Sequence, residues 1–223
     1  MNKPPQPAPP KFPLVVDASS TKIQVGIPRE MDWLHVETVE LPAMEGLFQA
    51  VSNLLNKVGF SLCEAEKLFF CEGPGSTLGL RITAAFAKTV IWEGRGKVSL
   101  QTYNALDLAS RMTEQAPLYL QAPFRKGWRF VRTPAKGSEV GTKKLYESKE
   151  ALSLFPRSHH LPDPRSVGEP MDEDKMIEYD LALTEGLKDL HAVSEPADAP
   201  VVYSPVPPTF KKWNPARVSA GKE

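Results

Sequence analysis

The stretch Glu72–Arg81, read EGPGSTLGLR, constrains this chain more than any other of its length. It follows the apolar run Leu68-Phe69-Phe70 and precedes an alanine-rich apolar segment, so it reads as a strand, a glycine turn and a helix start. Glycines at such a junction let the backbone turn sharply and approach other segments closely. The first amides of the following helix can receive an anion or a partner's acceptor group. Spacing excludes the two familiar phosphate loops. Gly73 and Gly79 are separated by five residues rather than four, and Gly79 is followed by Leu80-Arg81 instead of Lys-Ser/Thr, so no Walker loop is present. The G-x-G-x-x-G spacing of a dinucleotide site is missing too. Ser76 follows Gly75 much as a nucleophile would, but the G-x-S-x-G pattern fails at Leu78. Ser76 or Thr77 is better read as a helix N-cap, worth about 1 kcal/mol.

Hydrophobic periodicity supplies the surrounding elements. Leu14 to Asp17 is a short apolar run ending in an aspartate, Ile23, Val25 and Ile27 alternate with polar neighbours, and Leu34, Val36 and Val39 suggest a third strand. From Met44 to Val58, Leu47, Val51, Leu54, Leu55 and Val58 recur at three and four, the mark of an amphipathic helix that Gly59 would end. Lys67–Cys71 is the next strand, parallel because a helix intervenes. A helix over about 79–93 follows, where Ala84, Ala85 and Ala87 invite close packing, then a strand over Lys97–Thr102 and a helix over Asn104–Thr113.

The aspartate-ended strand, the G-P-G-S-x-x-G-L-R turn and the late Pro200-Val201-Val202-Tyr203 segment together resemble the bacterial TsaB family of tRNA threonylcarbamoyladenosine biosynthesis proteins. The likeness runs over about 14–110 and 177–212, with Thr77-Leu78 standing where the family pattern has Phe-Thr. It implies an α/β chain whose first lobe is actin-like, Hsp70-like and ribonuclease H-like, with a mixed five-stranded sheet, plus a second, reduced lobe. The expected division is a disordered Pro-rich leader over 1–13, the first lobe over 14–113, the second over 114–198 and a C-terminal extension over 199–223. The second lobe should open with a hairpin of Leu118–Gln121 and Gly127–Arg132. Prolines then confine 133–176 to short pieces, and a helix over Met176–Ala192 closes it.

The resemblance also implies a role. TsaB-like chains support a catalytic TsaD-type subunit by forming a heterodimer with it, a TsaE-type ATPase docks on that pair, and tRNA is met only through the complex. The free chain is a candidate homodimer. ATP and a divalent metal are expected on the partner subunits and no cofactor on this chain. The partner surface falls on the two first-lobe helices, at Leu47, Val51, Leu54, Leu55, Ala84, Ala85 and Lys88. Asp17, Gly73, Gly75, Ser76, Gly79 and Arg81 form either a structural turn or a vestigial phosphate site. On this reading Leu54→Asp should abolish complex formation. No catalytic and no metal-binding residue is expected.

Composition narrows the alternatives. Twenty-seven basic and twenty-seven acidic residues cancel, so bulk charge points to neither nucleic acid nor membrane. Locally, residues 125–157 hold nine Lys/Arg against three Glu, and 163–198 hold eleven acids against three bases; such runs are usually solvated faces, the alternative being a nucleic-acid face beside an acidic one. Cys63 and Cys71 suit reduced thiols in a cytosolic protein, and no stretch approaches a membrane span. His159 and His160 are adjacent and so point to different faces, unlike the H-x-x-x-H pair that puts two imidazoles on one face. Two rival functions stand beside the subunit role: a stand-alone diverged actin-like-fold ATPase or kinase, and a lineage-specific binding module.

Overall fold

A computed structural model describes residues 11–113, 119–134, 141–162 and 173–203. The expected leader lies outside the described residues up to position 10, as do 204–223 of the expected C-terminal extension. Strands β1 (Phe12–Asp17), β2 (Ile23–Pro28) and β3 (Trp33–Val39) form the antiparallel meander that alternation predicts. β1 starts earlier than expected because Phe12 is core, its ring stacked on Phe60 at 5.0 Å. Helix α1 (Ala43–Val58) ends where Gly59 takes the left-handed conformation, φ 72°. Then come β4 (Ala65–Gly73), helix α2 (Thr77–Glu93) and β5 (Ser99–Asn104), with β4 parallel to both β1 and β5. Helix α3 (Ala105–Ala109) is shorter than the expected 104–113. The Asn104 side chain caps its start, and the Ser110 hydroxyl donates to the Asp107 carbonyl at 2.6 Å at its end.

The sheet is apolar on both faces, which explains the unbroken runs Leu14–Val16 and Leu68–Cys71 in strands buried front and back. Leu14, Val16, Ile23, Val25, Leu68 and Phe70 meet α1 and α2 on one face. Val15, Phe69, Cys71 and Tyr103 meet α3 and the rest of the chain on the other. Leu47 and Leu54 of α1 have no exposed surface, each burial contributing about 1.5–3 kcal/mol.

The second sheet comprises β6 (Leu120–Arg125), β7 (Trp128–Arg132), β8 (Lys143–Glu147) and β9 (His159–His160), ordered β8-β7-β6-β9, with helix α4 (Ser148–Leu154) before β9. β6 and β7 form a hairpin where one was expected, but the first strand runs over Leu120–Arg125 rather than 118–121, and Leu118 lies outside the described residues. β8, α4 and β9 lie in the proline-interrupted stretch and are short, as that proline density requires. Leu120, Ala122 and Phe130 share one core with Tyr103 and Leu106 of the first lobe. Asp107 on α3 ties the lobes, accepting from Arg132 at 2.6 Å and Lys143 at 2.5 Å.

Two expectations need correction at the end of the chain. The first sheet has six strands, ordered β10-β5-β4-β1-β2-β3, because β10 (Ser194–Pro196) pairs antiparallel with β5. A three-residue strand containing proline carries too little periodicity to be seen beforehand. The single helix over Met176–Ala192 is also absent. In its place stand 3-10 turns at Glu173–Lys175 and Leu181–Leu183, and helix α5 (Gly186–Val193). The cause is tertiary: buried Gln24 on β2 donates to the Tyr179 carbonyl at 3.0 Å and accepts from the Leu181 amide at 2.7 Å, holding that backbone away from helical pairing. Asp180 and Thr184 then close the turn between them. Residues 186–196, grouped with the second lobe by sequence, return to the first sheet, where the Leu187 amide donates to the Arg29 carbonyl at 2.7 Å. Among the described residues no helix is long and apolar enough to cross a membrane.

Candidate functional site

Two places gather the residues singled out by sequence. The first is the end of β1 with the glycine turn. Asp17 is 1 % exposed, and its Oδ2 accepts from the Tyr103 hydroxyl at 2.8 Å and the Tyr179 hydroxyl at 2.7 Å, while Oδ1 accepts from the Ser19 amide at 2.8 Å. Burial, followed by the Asp17 charge, pushes both phenols and the nearby Cys71 thiol well above their usual values. The carboxylate is thus spent on protein donors. The glycine turn is packed just as tightly. A Cβ on Gly75 would sit 2.1 Å from the Ser19 carbonyl oxygen, and one on Gly79 would sit 2.0 Å from that of Ala18, so only glycine permits this approach of turn to hairpin.

Two of the amides that could have met a phosphate are engaged. The Ser76 amide donates to the Ser19 carbonyl at 2.7 Å, and the Ser76 hydroxyl caps α2 by accepting from the Gly79 amide at 3.2 Å, as its sequence position predicts. Gly73 ends β4 with φ 113°, and Arg81 points outward on α2. What remains between Ser19, Pro74 and Gly75 on one side and Pro123 and Leu161 on the other is a cavity of about 10 Å³, the room one water needs. This end of the first lobe has the geometry of a structural turn.

The second place is the outer face of the helix pair. Between α1 and α2 runs a groove of about 640 Å³, lined by Met44, Phe48, Val51 and Leu55 on α1 and by Ile82, Ala85, Phe86 and Thr89 on α2, with Leu62, Cys63 and Val98 at one end. Met44 is 65 % and Phe48 59 % exposed, and the Phe48 and Phe86 rings meet edge to face at 6.2 Å. Trp92, on the same helix as Ala85, is 79 % exposed. Apolar side chains held this far into water at one continuous place are the signature of a surface built to be covered.

The structure divides the expected partner residues. Leu55, Ala85 and Lys88 reach the surface, Val51 lines the groove while nearly buried, and Ala84 is 7 % exposed. Leu47 and Leu54 are corrected: both lie wholly in the core against the sheet, so neither can present a contact while the lobe is folded. Met44, Phe48, Ile82 and Thr89 were missed. The signal was a second apolar stripe on α1 at 44, 48 and 55, offset from the core stripe at 47, 51, 54 and 58, which widens the apolar arc beyond what one sheet can cover.

No protein-family model and no curated protein matches the chain. Among solved structures it is similar to YeaZ from Pseudomonas aeruginosa, at 15 % identity and a TM-score of 0.54, over 82 % of this chain and 89 % of that one. It is also similar to an uncharacterized protein described as having similarity to peptidase YEAZ from Pseudomonas aeruginosa, at 16 % identity and a TM-score of 0.53 over the same shares. The mixed sheet, the helix pair on its outer face and the second sheet beyond it therefore give this chain the fold of YeaZ, an actin-like α/β architecture.

Proposed function

We propose that the chain is a non-catalytic, TsaB-type subunit that supports threonylcarbamoyl transfer to adenosine 37 of tRNA by seating a TsaD-type subunit in the α1–α2 groove. The observation that carries this reading is the groove itself, about 640 Å³ of mainly apolar surface. It lies on the helix pair that the sequence resemblance nominates for pairing. Supporting it, the place where an actin-like relative would hold a metal-nucleotide is filled by two tyrosine hydroxyls and leaves about 10 Å³. In this division of labour ATP and the divalent metal belong to the partner subunits, a TsaE-type ATPase docks on the pair, tRNA is met through the complex, and the free chain uses the same face for a homodimer.

The test replaces exposed groove residues. Phe48→Asp and Ala85→Arg should each abolish co-elution with a TsaD-type subunit while leaving the circular dichroism spectrum unchanged. Wild-type chain should restore threonylcarbamoyladenosine in a bacterial strain depleted of its own TsaB, and the two variants should not. Co-elution that survives both substitutions, or ATP turnover by the purified chain alone, overturns the proposal.

A further inference from the structure

Beside the groove lies a second hollow, shallower and of different chemistry. It measures about 300 Å³ and is lined by Arg81, Ala84, Ala85 and Lys88 of α2 and by Pro200, Val201 and Val202 of the late segment. Ala85 lines both hollows, so they form one continuous surface. Arg81 and Lys88 are seven positions apart, two helical turns, which puts both side chains on one face about 10 Å apart. Both are exposed, and neither forms an ion pair with a described residue. Lys57, the cation of α1, is engaged with Glu37 at 2.7 Å. α2 carries no acid before Glu93, at its far end.

We infer that this hollow reads carboxylates: the partner that fills the apolar groove places acidic side chains between Arg81 and Lys88, and this charge selects a different chain over a second copy of this one. The inference rests on the docking role proposed above and adds the partner's chemistry. A two-fold pair of identical chains brings residues near its axis against their own copies. Centred on Ala85, such a pair sets Arg81 and Lys88 against the same cations, and like charges facing each other across an interface oppose association. A partner with Asp or Glu at the matching positions removes the repulsion and gains charge-assisted hydrogen bonds from an arginine fork whose donors are otherwise given to water.

The experiment uses the full chain, the double charge reversal Arg81→Glu/Lys88→Glu, and a TsaD-type subunit as probe. Both substituted positions are exposed, so the variant should keep the wild-type dichroism spectrum and melting temperature. Wild-type association with the probe should weaken as salt rises from about 50 to about 500 mM, and the reversal should weaken it at least about tenfold at low salt. A second arm needs no partner: wild type mixed with the charge-reversed chain should pair more tightly at low salt than either does with itself. The inference is overturned if probe binding ignores both salt and the reversal, or if the wild-type pair is as tight as the mixed one. A wild type that never binds the probe sinks the docking role instead, and the mixing arm still decides whether Arg81 and Lys88 discriminate by charge.

Discussion

Where the first lobe meets the second, the hollow between them holds about 10 Å³, whereas on the helical face of the same lobe the groove opens to about 640 Å³. Tyr179 and the glycine turn line the closed hollow, and close by lie groups that usually do chemistry: a strand-end aspartate, a second tyrosine and a thiol. The open one is lined mostly by apolar side chains, valine, leucine and phenylalanine foremost. Reactive residue types are therefore a poor guide here, because each polar group near Asp17 already has a protein partner. The groove has unsatisfied surface, and the hydrophobic effect rewards whatever covers it.

The sharpest way to break this contrast pairs a core residue with a groove residue on the same helix. Leu54→Asp places a carboxylate where nothing is exposed and should unfold the lobe, seen as loss of the cooperative thermal transition. Phe48→Asp, with 59 % of its residue already in water, should move the melting temperature little while removing partner binding. Complex loss in Leu54→Asp would thus report unfolding rather than a contact.

Next in size is Asp17→Ala, which leaves the Tyr103 and Tyr179 hydroxyls buried without their acceptor. A loss of about 3 kcal/mol follows from abandoning two such donors, read as a lower urea midpoint. Asp17→Asn keeps one acceptor oxygen and should lose less. If Asp17→Ala instead left stability intact and abolished ATP turnover, the closed hollow would be the working one.

The thiols give a smaller but cleaner contrast. Cys71 is buried, with its thiol pushed well up by burial and by the Asp17 charge, while Cys63 is exposed at the end of the groove. A thiol-specific chromogenic reagent should label one cysteine per native chain at neutral pH and both after denaturation. Occupation of the groove should slow the native reaction.

The smallest effect is expected at Glu72, whose carboxyl is raised above 4.5, chiefly by burial and secondarily by Asp107 and Glu195 against the lowering by Asn104 and Lys143. The folded chain holds that proton more firmly than the unfolded one. Its contribution is fully present below about pH 4.5, the unfolded value, and is lost as pH rises through the raised folded value. Glu72→Gln cannot lose a proton, so it should be more stable than wild type above that window and indistinguishable from it below, by thermal melts across pH 4–8.

Much of the first lobe was legible in the sequence because its elements are governed by local pattern. Alternation fixed β2, the three-and-four spacing fixed α1, and the glycine turn with Ser76 located the start of α2. What escaped was decided by distant contacts. Gln24 bends residues 179–181 away from the helix their leucine spacing suggests, and β10 exists because β5 needed a neighbour at its edge. At the candidate site, spacing found Val51 and Leu55 on α1 and Ala85 on α2 but not the sides of the two helices that face the groove. Leu47 and Leu54 satisfy the same periodicity while facing the sheet, and only packing separates the two stripes.

The interleaving of the chain's ends has a consequence for biosynthesis. The donor that completes the buried aspartate's cluster, Tyr179, and the segment that closes the sheet's margin, Ser194–Pro196, are both translated after the entire second sheet. A ribosome-bound fragment stopping near residue 113 would carry a carboxylate missing one of its phenols and a sheet flank still open to pairing with other molecules. The two lobes of this protein must mature together, and truncation between them should yield aggregation rather than an independent half.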